Sequence, residues 1–147
     1  MESNYYILKN KPLPKCAEPV VEKMIDSGEQ ILFVIVGDLN LKGNYDDSAL
    51  IFTKKSVVRV GGEEPEQLYE YFEMKDVQSK RMYGNATLSA IFPDGKRKVF
   101  FRYTYSVASL CDASALFINH LNDGANFDEE NAIMHVTFDK ALSICPK

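Results

Sequence analysis

Three cysteines, Cys16, Cys111 and Cys145, and two histidines, His120 and His135, are the residues of this 147-residue chain best suited to nucleophilic or metal chemistry. Zinc needs three or four converging Cys or His ligands. The two histidines are far apart and neither has a partner at ligand spacing, so both read as structural. His120, near the end of a predicted helix, suits the helix dipole. A Ser or Cys nucleophile needs a base and an orienting carboxylate, and no Gly-x-Ser-x-Gly elbow occurs. Cys111 falls beside an apolar helical stripe, where a small buried thiol is expected. Nothing around Cys16 marks it as reactive. Neither the phosphate loop G-x-x-x-x-G-K-[ST] nor a dinucleotide G-x-G-x-x-G is present, so no cofactor is expected.

Charged clusters are the remaining candidates. Asp38, Asp46 and Asp47 gather around one predicted loop. Hard oxygen ligands suit Ca²⁺ or Mg²⁺, but the spacing is not that of an EF-hand, and a solvated acidic loop is the expectation. Only Lys42 is basic there, so the local field repels an anionic headgroup. Basic residues recur at Lys54-Lys55, Lys80-Arg81 and Lys96-Arg97-Lys98 with Arg102. Hairpins that brought Lys96, Arg97, Lys98 and Arg102 together would form a patch for an acidic partner or a leaflet surface. Charged turns and edge-strand protection account for the same residues more simply. Tyr69, Tyr71, Tyr83, Tyr103 and Tyr105 would line a groove or serve as strand residues.

Composition narrows the class. Hydrophobic residues make up 46% and charged residues 26% of the chain, enough for the core of one domain. The net charge of −4 argues against nucleic acid as the partner. The odd number and wide spacing of the cysteines suggest free thiols in a reducing compartment. Met1 to Asn10 lacks a basic n-region with an apolar stretch, and Ile31 to Val36 is too short to cross a bilayer. A cytoplasmic location is therefore expected.

The elements that must position these side chains follow from periodicity. Ala17, Val21, Met24 and Ile25 recur at helical spacing before Gly28, with Pro14 suited to a first turn and Pro19 weakening the pattern. Gln30 to Val36 is a continuous apolar strand, and Gly37 to Asn44 has turn composition. Leu50–Phe52 and Val57–Val60 are strands. Leu68–Met74 alternates, which places Leu68, Phe72 and Met74 on one face and Tyr69, Tyr71 and Glu73 on the other. Val77–Tyr83 and Thr87–Phe92 flank Gly84-Asn85, and Pro93-Asp94-Gly95 predicts a hairpin into Lys98–Tyr103. Val107, Leu110, Ser114, Phe117 and Leu121 then form a helical stripe that must bury against the sheet. Ser106 would cap that helix, and Asn122-Asp123-Gly124 would stop it. The segment from Phe127 to Lys147 supports a helix through Met134, Phe138, Ala141 or Leu142, and Cys145. It also supports a strand through Ala132, Met134, Val136 and Phe138, and the acidic start favours the helix.

Strands followed by one amphipathic helix suggest a small barrel or sandwich with a helix plugging one end. The chain resembles the pleckstrin-homology superfold and, more narrowly, the N-terminal region of a family of bacterial ABC transporters that fuse ATP-binding and permease parts. Leu13-Pro14-Lys15-Cys16, Val36-Gly37-Asp38-Leu39-Asn40-Leu41-Lys42-Gly43-Asn44-Tyr45, and Asp94-Gly95 with Phe101-Arg102-Tyr103-Thr104 carry the likeness. Cys145-Pro146-Lys147 is how a Cys-Pro-Lys-Cys-Gly ribbon begins. The resemblance thus implies Cys145 as the first zinc ligand of a ribbon continuing in a longer protein. The expected fold is α+β, mostly β: an antiparallel barrel or sandwich of about seven strands with a C-terminal capping helix. Residues 1–28 would be an extension with a short helix, 29–123 the pleckstrin-homology-like domain, and 124–147 a helical tail or linker. The expected function is a non-catalytic docking or regulatory domain that contacts a protein partner or other domains of a parent chain. A peripheral membrane module and a small ligand-binding protein are the alternatives.

Overall fold

The computed structural model describes residues 7–61 and 64–144 as an α+β fold of two sheets and three helices. The first sheet runs β1 (Leu8–Lys9), β2 (Ile31–Leu39), β3 (Tyr45–Thr53), β4 (Ser56–Gly61) and β5 (Glu64–Glu70) in spatial order. From β2 to β5 it is an antiparallel meander, whereas the short β1 lies parallel to β2. The second sheet is the meander β6 (Lys75–Arg81), β7 (Ala86–Ile91) and β8 (Arg97–Tyr103). Helix α1 (Glu18–Asp26) precedes the meanders, and α2 (Ala108–Asn122) and α3 (Phe127–Ile144) follow them. Eight strands replace the expected seven because Leu8–Lys9 adds a parallel edge with no periodic signal of its own. Among the described residues the sheets do not close into a barrel.

The first sheet is apolar on both faces because both are covered, which is why β2 reads as an unbroken hydrophobic run. Phe33, Ile35, Leu50, Phe52 and Val57 enter the main core, while Val34, Val36, Ala49, Ile51, Val58 and Val60 pack under α1 with Ala17, Val21 and Met24. Pro19 does not break α1. It stands at the first positions of the helix, where a missing N–H costs nothing. Gly28, at φ +88°, follows the helix end.

The main core centres on aromatic rings. Phe33 stacks on Phe52 with centroids 4.4 Å apart, and Phe117 of α2 and Phe138 of α3 each approach Phe33 to 5.5 Å. The α2 stripe behaves as expected: Val107, Leu110, Ser114 and Phe117 are buried, and Leu121 is partly buried against the same core. Ser106 is not the cap, since a 3-10 turn over Tyr105–Val107 leads into α2 and its hydroxyl pairs with that of Thr104. Residues 127–144 are helical, with Met134 and Phe138 on the buried side. Cys145 lies outside the described residues.

One face assignment is corrected. Strand β5 ends at Glu70 and a 3-10 turn covers Tyr71–Glu73, so alternation stops there. Leu68 and Phe72 are exposed, whereas Tyr71 is buried and its hydroxyl donates to the Thr53 carbonyl at 2.7 Å. Burial pushes the Tyr71 pKa well above its usual value.

The two sheets meet where β2 passes β8. A Cβ on Gly37 would stand 2.8 Å from the Phe101 ring and 2.9 Å from the Ser48 hydroxyl, so only glycine permits this approach. Thr104 Oγ1 donates to the Asp38 carboxylate at 3.1 Å, and Arg102 Nε donates to the Leu41 carbonyl at 3.0 Å.

Candidate docking face

The second sheet differs from the first because its outer side has no helix over it. Its central strand alternates strictly. Ala86, Leu88 and Ala90 enter the core, and Thr87, Ser89 and Ile91 take the outer side. Register places three cross-strand rows there: Lys75–Ile91–Arg97, Gln78–Ser89–Val99 and Lys80–Thr87–Arg102. Lys75, Lys80, Arg97 and Arg102 thus stand at the four corners of one face around small hydroxyl residues. Thr87 and Ser89 are nevertheless buried, at 3% and 6% exposure, under the long side chains around them.

Two bulges create this arrangement. In β8, Leu88 pairs with Phe101 and Ser89 with Val99, so Phe100 is an extra residue. Phe100 and Phe101 both bury, and Arg97 and Arg102, five residues apart, come to the same face. In β6 the register shifts between Lys75 and Gln78, with Asp76 at φ +49°. Lys75 and Lys80 thereby share a face although simple alternation would part them.

Of the four residues singled out in the sequence, the structure brings together Arg97 and Arg102 and leaves the others aside. Arg97 is held by Ser89 Oγ at 2.9 Å and by the Asp76 carboxylate at 2.6 Å. Arg102 is fixed by Leu41 O and by Asn85 Oδ1 at 2.9 Å. Lys98 stands opposite core-facing Ala90 and pairs with Asp94 at 3.5 Å. Lys96 sits in the hairpin turn, where its N–H on Asp94 is the main cause lowering that carboxyl's pKa. Lys54, in the turn between β3 and β4, lies over the Phe127 ring at 5.3 Å. Lys75 was not legible as a member. The adjacent pair Phe100-Phe101, which period two cannot bury without a bulge, signals only the β8 shift that aligns Arg97 with Arg102, and nothing comparable marks the β6 shift that places Lys75.

A groove borders the face where edge strand β6 runs beside α2. It measures about 490 Å³ and is lined by residues including Ser79, Arg81, Asp112, Leu116 and Asn119. A neighbouring cleft of about 570 Å³ shares Asn119 and is bounded by Phe72, Asp76 and Asn122. Across the first groove Asp112 accepts from Ser79 Oγ at 2.5 Å and pairs with Arg81 at 3.0 Å, which raises the Arg81 pKa. Ser79 also hydrogen-bonds the Tyr103 hydroxyl. Desolvation of Tyr103 pushes its pKa up to about 12 against the opposing Ser79 bond.

The five tyrosines do not form one groove: Tyr71 and Tyr103 are buried, Tyr69 is partly buried, and Tyr83 and Tyr105 are exposed. The carboxylates are spread along strands rather than gathered in a loop, with Asp38 on β2 and Asp46 and Asp47 on β3. Among the described residues no His, Cys, Asp or Glu grouping fits a metal ion. His120 pairs with Glu130 at 2.9 Å, tying α2 to α3, and Cys111 is buried with its thiol pKa raised by desolvation. No helix of the described residues is long and apolar enough to cross a membrane. Comparison with protein-family models, with characterised proteins and with solved structures gives no match.

Proposed function

We infer that this chain is a non-catalytic docking domain of the pleckstrin-homology-like kind, similar to the cytosolic N-terminal part of a bacterial ABC transporter. It engages an acidic surface on a protein partner or on a parent chain. The observation carrying this reading is the uncovered sheet face with Lys75, Lys80, Arg97 and Arg102 at its corners. An otherwise acidic chain that gathers cations on one open face presents a local field for an anionic surface. The order of a four-stranded meander, a three-stranded meander and a helix supports the fold part of the inference.

Photo-crosslinking tests it. With p-benzoylphenylalanine at Gln78, the full chain expressed in cells gives a discrete protein adduct that Lys80→Glu/Arg102→Glu abolishes. No adduct, or an adduct indifferent to those charges, overturns the reading. A peripheral membrane role is the second reading, favoured by fully exposed Tyr83 and by exposed Met82 at the β6–β7 tip. Salt-sensitive sedimentation with phosphatidylserine vesicles would establish that role in place of protein docking.

A further inference from the structure

We propose that the free edge of β6 between Ser79 and Arg81 accepts an extended acidic segment of a partner protein as an added strand. This deepens the docking reading and rests on it. Strand β6 is the edge of its sheet. The Val77 N–H donates to Asn119 Oδ1 at 2.9 Å and the Val77 carbonyl accepts from Asn119 Nδ2 at 2.8 Å, so the backbone of Val77 faces α2 rather than β7. Along a strand these groups alternate between sides. Hence the N–H and C=O of Ser79 and Arg81 project from the same edge as those of Val77, into the groove of about 490 Å³. Asn119 closes the edge at one point and leaves the next two positions as a template.

Charge selects the occupant. Of the charged side chains lining the groove, Arg81 and Asp112 pair with each other at 3.0 Å, and among the described residues no carboxylate pairs with the third, Lys80. A second copy adding its own β6 about a two-fold axis near Lys80 would set lysine against lysine, and directly opposed like charges destabilise a strand pair. An acidic strand reverses that term. Its residues beside Gln78 and Lys80 would be carboxylates. The alternate ones would enter the groove against Leu116, which is 56% exposed. The segment recognised is therefore extended, with acidic and apolar residues alternating.

The test uses a fluorescein-labelled peptide alternating glutamate and valine, its backbone N-methylated analogue, and a lysine–valine counterpart, with binding read by anisotropy. The glutamate peptide binds and the lysine peptide does not. Lys80→Glu weakens binding about tenfold or more, and Gln78→Glu, a second exposed position of the same sign, weakens it in the same direction. Amide exchange of Ser79 and Arg81 slows when the peptide is bound. Equal binding of the N-methylated peptide, or unchanged exchange at Ser79 and Arg81, overturns strand addition while leaving docking on the basic face intact. Absence of binding by the glutamate peptide also overturns it. The Gln78 cross-link decides the docking reading separately.

Discussion

The outer sides of the two sheets are built from the same kind of strand and end in opposite conditions. On the first sheet Val34, Ala49, Ile51 and Val58 point outward, and α1 covers them with Ala17, Val21 and Met24. On the second, Thr87 and Ser89 point outward with no helix over them, Thr87 between Lys80 and Arg102 and Ser89 between Gln78 and Val99, with Arg97 donating to the Ser89 hydroxyl. One side is a second hydrophobic layer that contributes to stability. The other keeps its hydroxyls beside long cationic side chains. The lesson is that a face left without a helix in this fold is kept soluble by charge, and its charge is all of one sign except Asp76 at the Arg97 corner.

Truncations on the two sides should separate most. Ile51→Ala, at a fully buried site under α1, is expected to cost about 2–5 kcal/mol in urea unfolding. Thr87→Ala on the open face should cost no more than about 1 kcal/mol, and equal losses would erase the contrast. Next comes the seam between the sheets. Gly37→Ala forces a methyl against Phe101 and Ser48 and should destabilise by about 1–3 kcal/mol by the same assay.

Alkaline pH sharpens the comparison at the groove. The folded state holds Tyr103 neutral up to about pH 12, above its ordinary 10.0. Its neutral form is favoured on folding, so its stabilisation is complete below pH 10 and is lost as pH rises toward 12. Stability curves across that window should steepen less in Tyr103→Phe than in the native chain, with tyrosinate absorbance as the companion reading. The smallest effect belongs to the basic corners. Arg97→Ala removes a partly exposed pair with Asp76 and should change stability by at most about 1 kcal/mol. Its loss should show instead as weaker, less salt-sensitive binding of an acidic peptide. A large stability loss there would make Arg97 a structural residue and remove it from the docking face.

Much of the scaffold was legible because burial imposes a period. The α2 stripe, the strand at Ile31 and the turn at Pro93-Asp94-Gly95 each obey a local rule. The face of Leu68, Phe72 and Met74 was misplaced for the converse reason: the 3-10 turn at Tyr71 ends the alternation without a glycine or proline to announce it. The candidate site was half visible. Arg97 and Arg102 were singled out, yet their company with Lys75 and Lys80 depends on two bulges that shift parity.

Residue order alone therefore determined most of the strands and the first two helices, since hydrophobic spacing acts within a few residues, but it left helix and strand both open after Phe127 and revealed neither β1 nor the exposure of Leu68 and Phe72. It also determined that the chain carries net negative charge. Only the tertiary structure decided which cations share a face, which edge stays open, and that Gly37 must lie against Phe101. Those outcomes depend on strand register and on the seating of α2, set by contacts between residues distant in the chain.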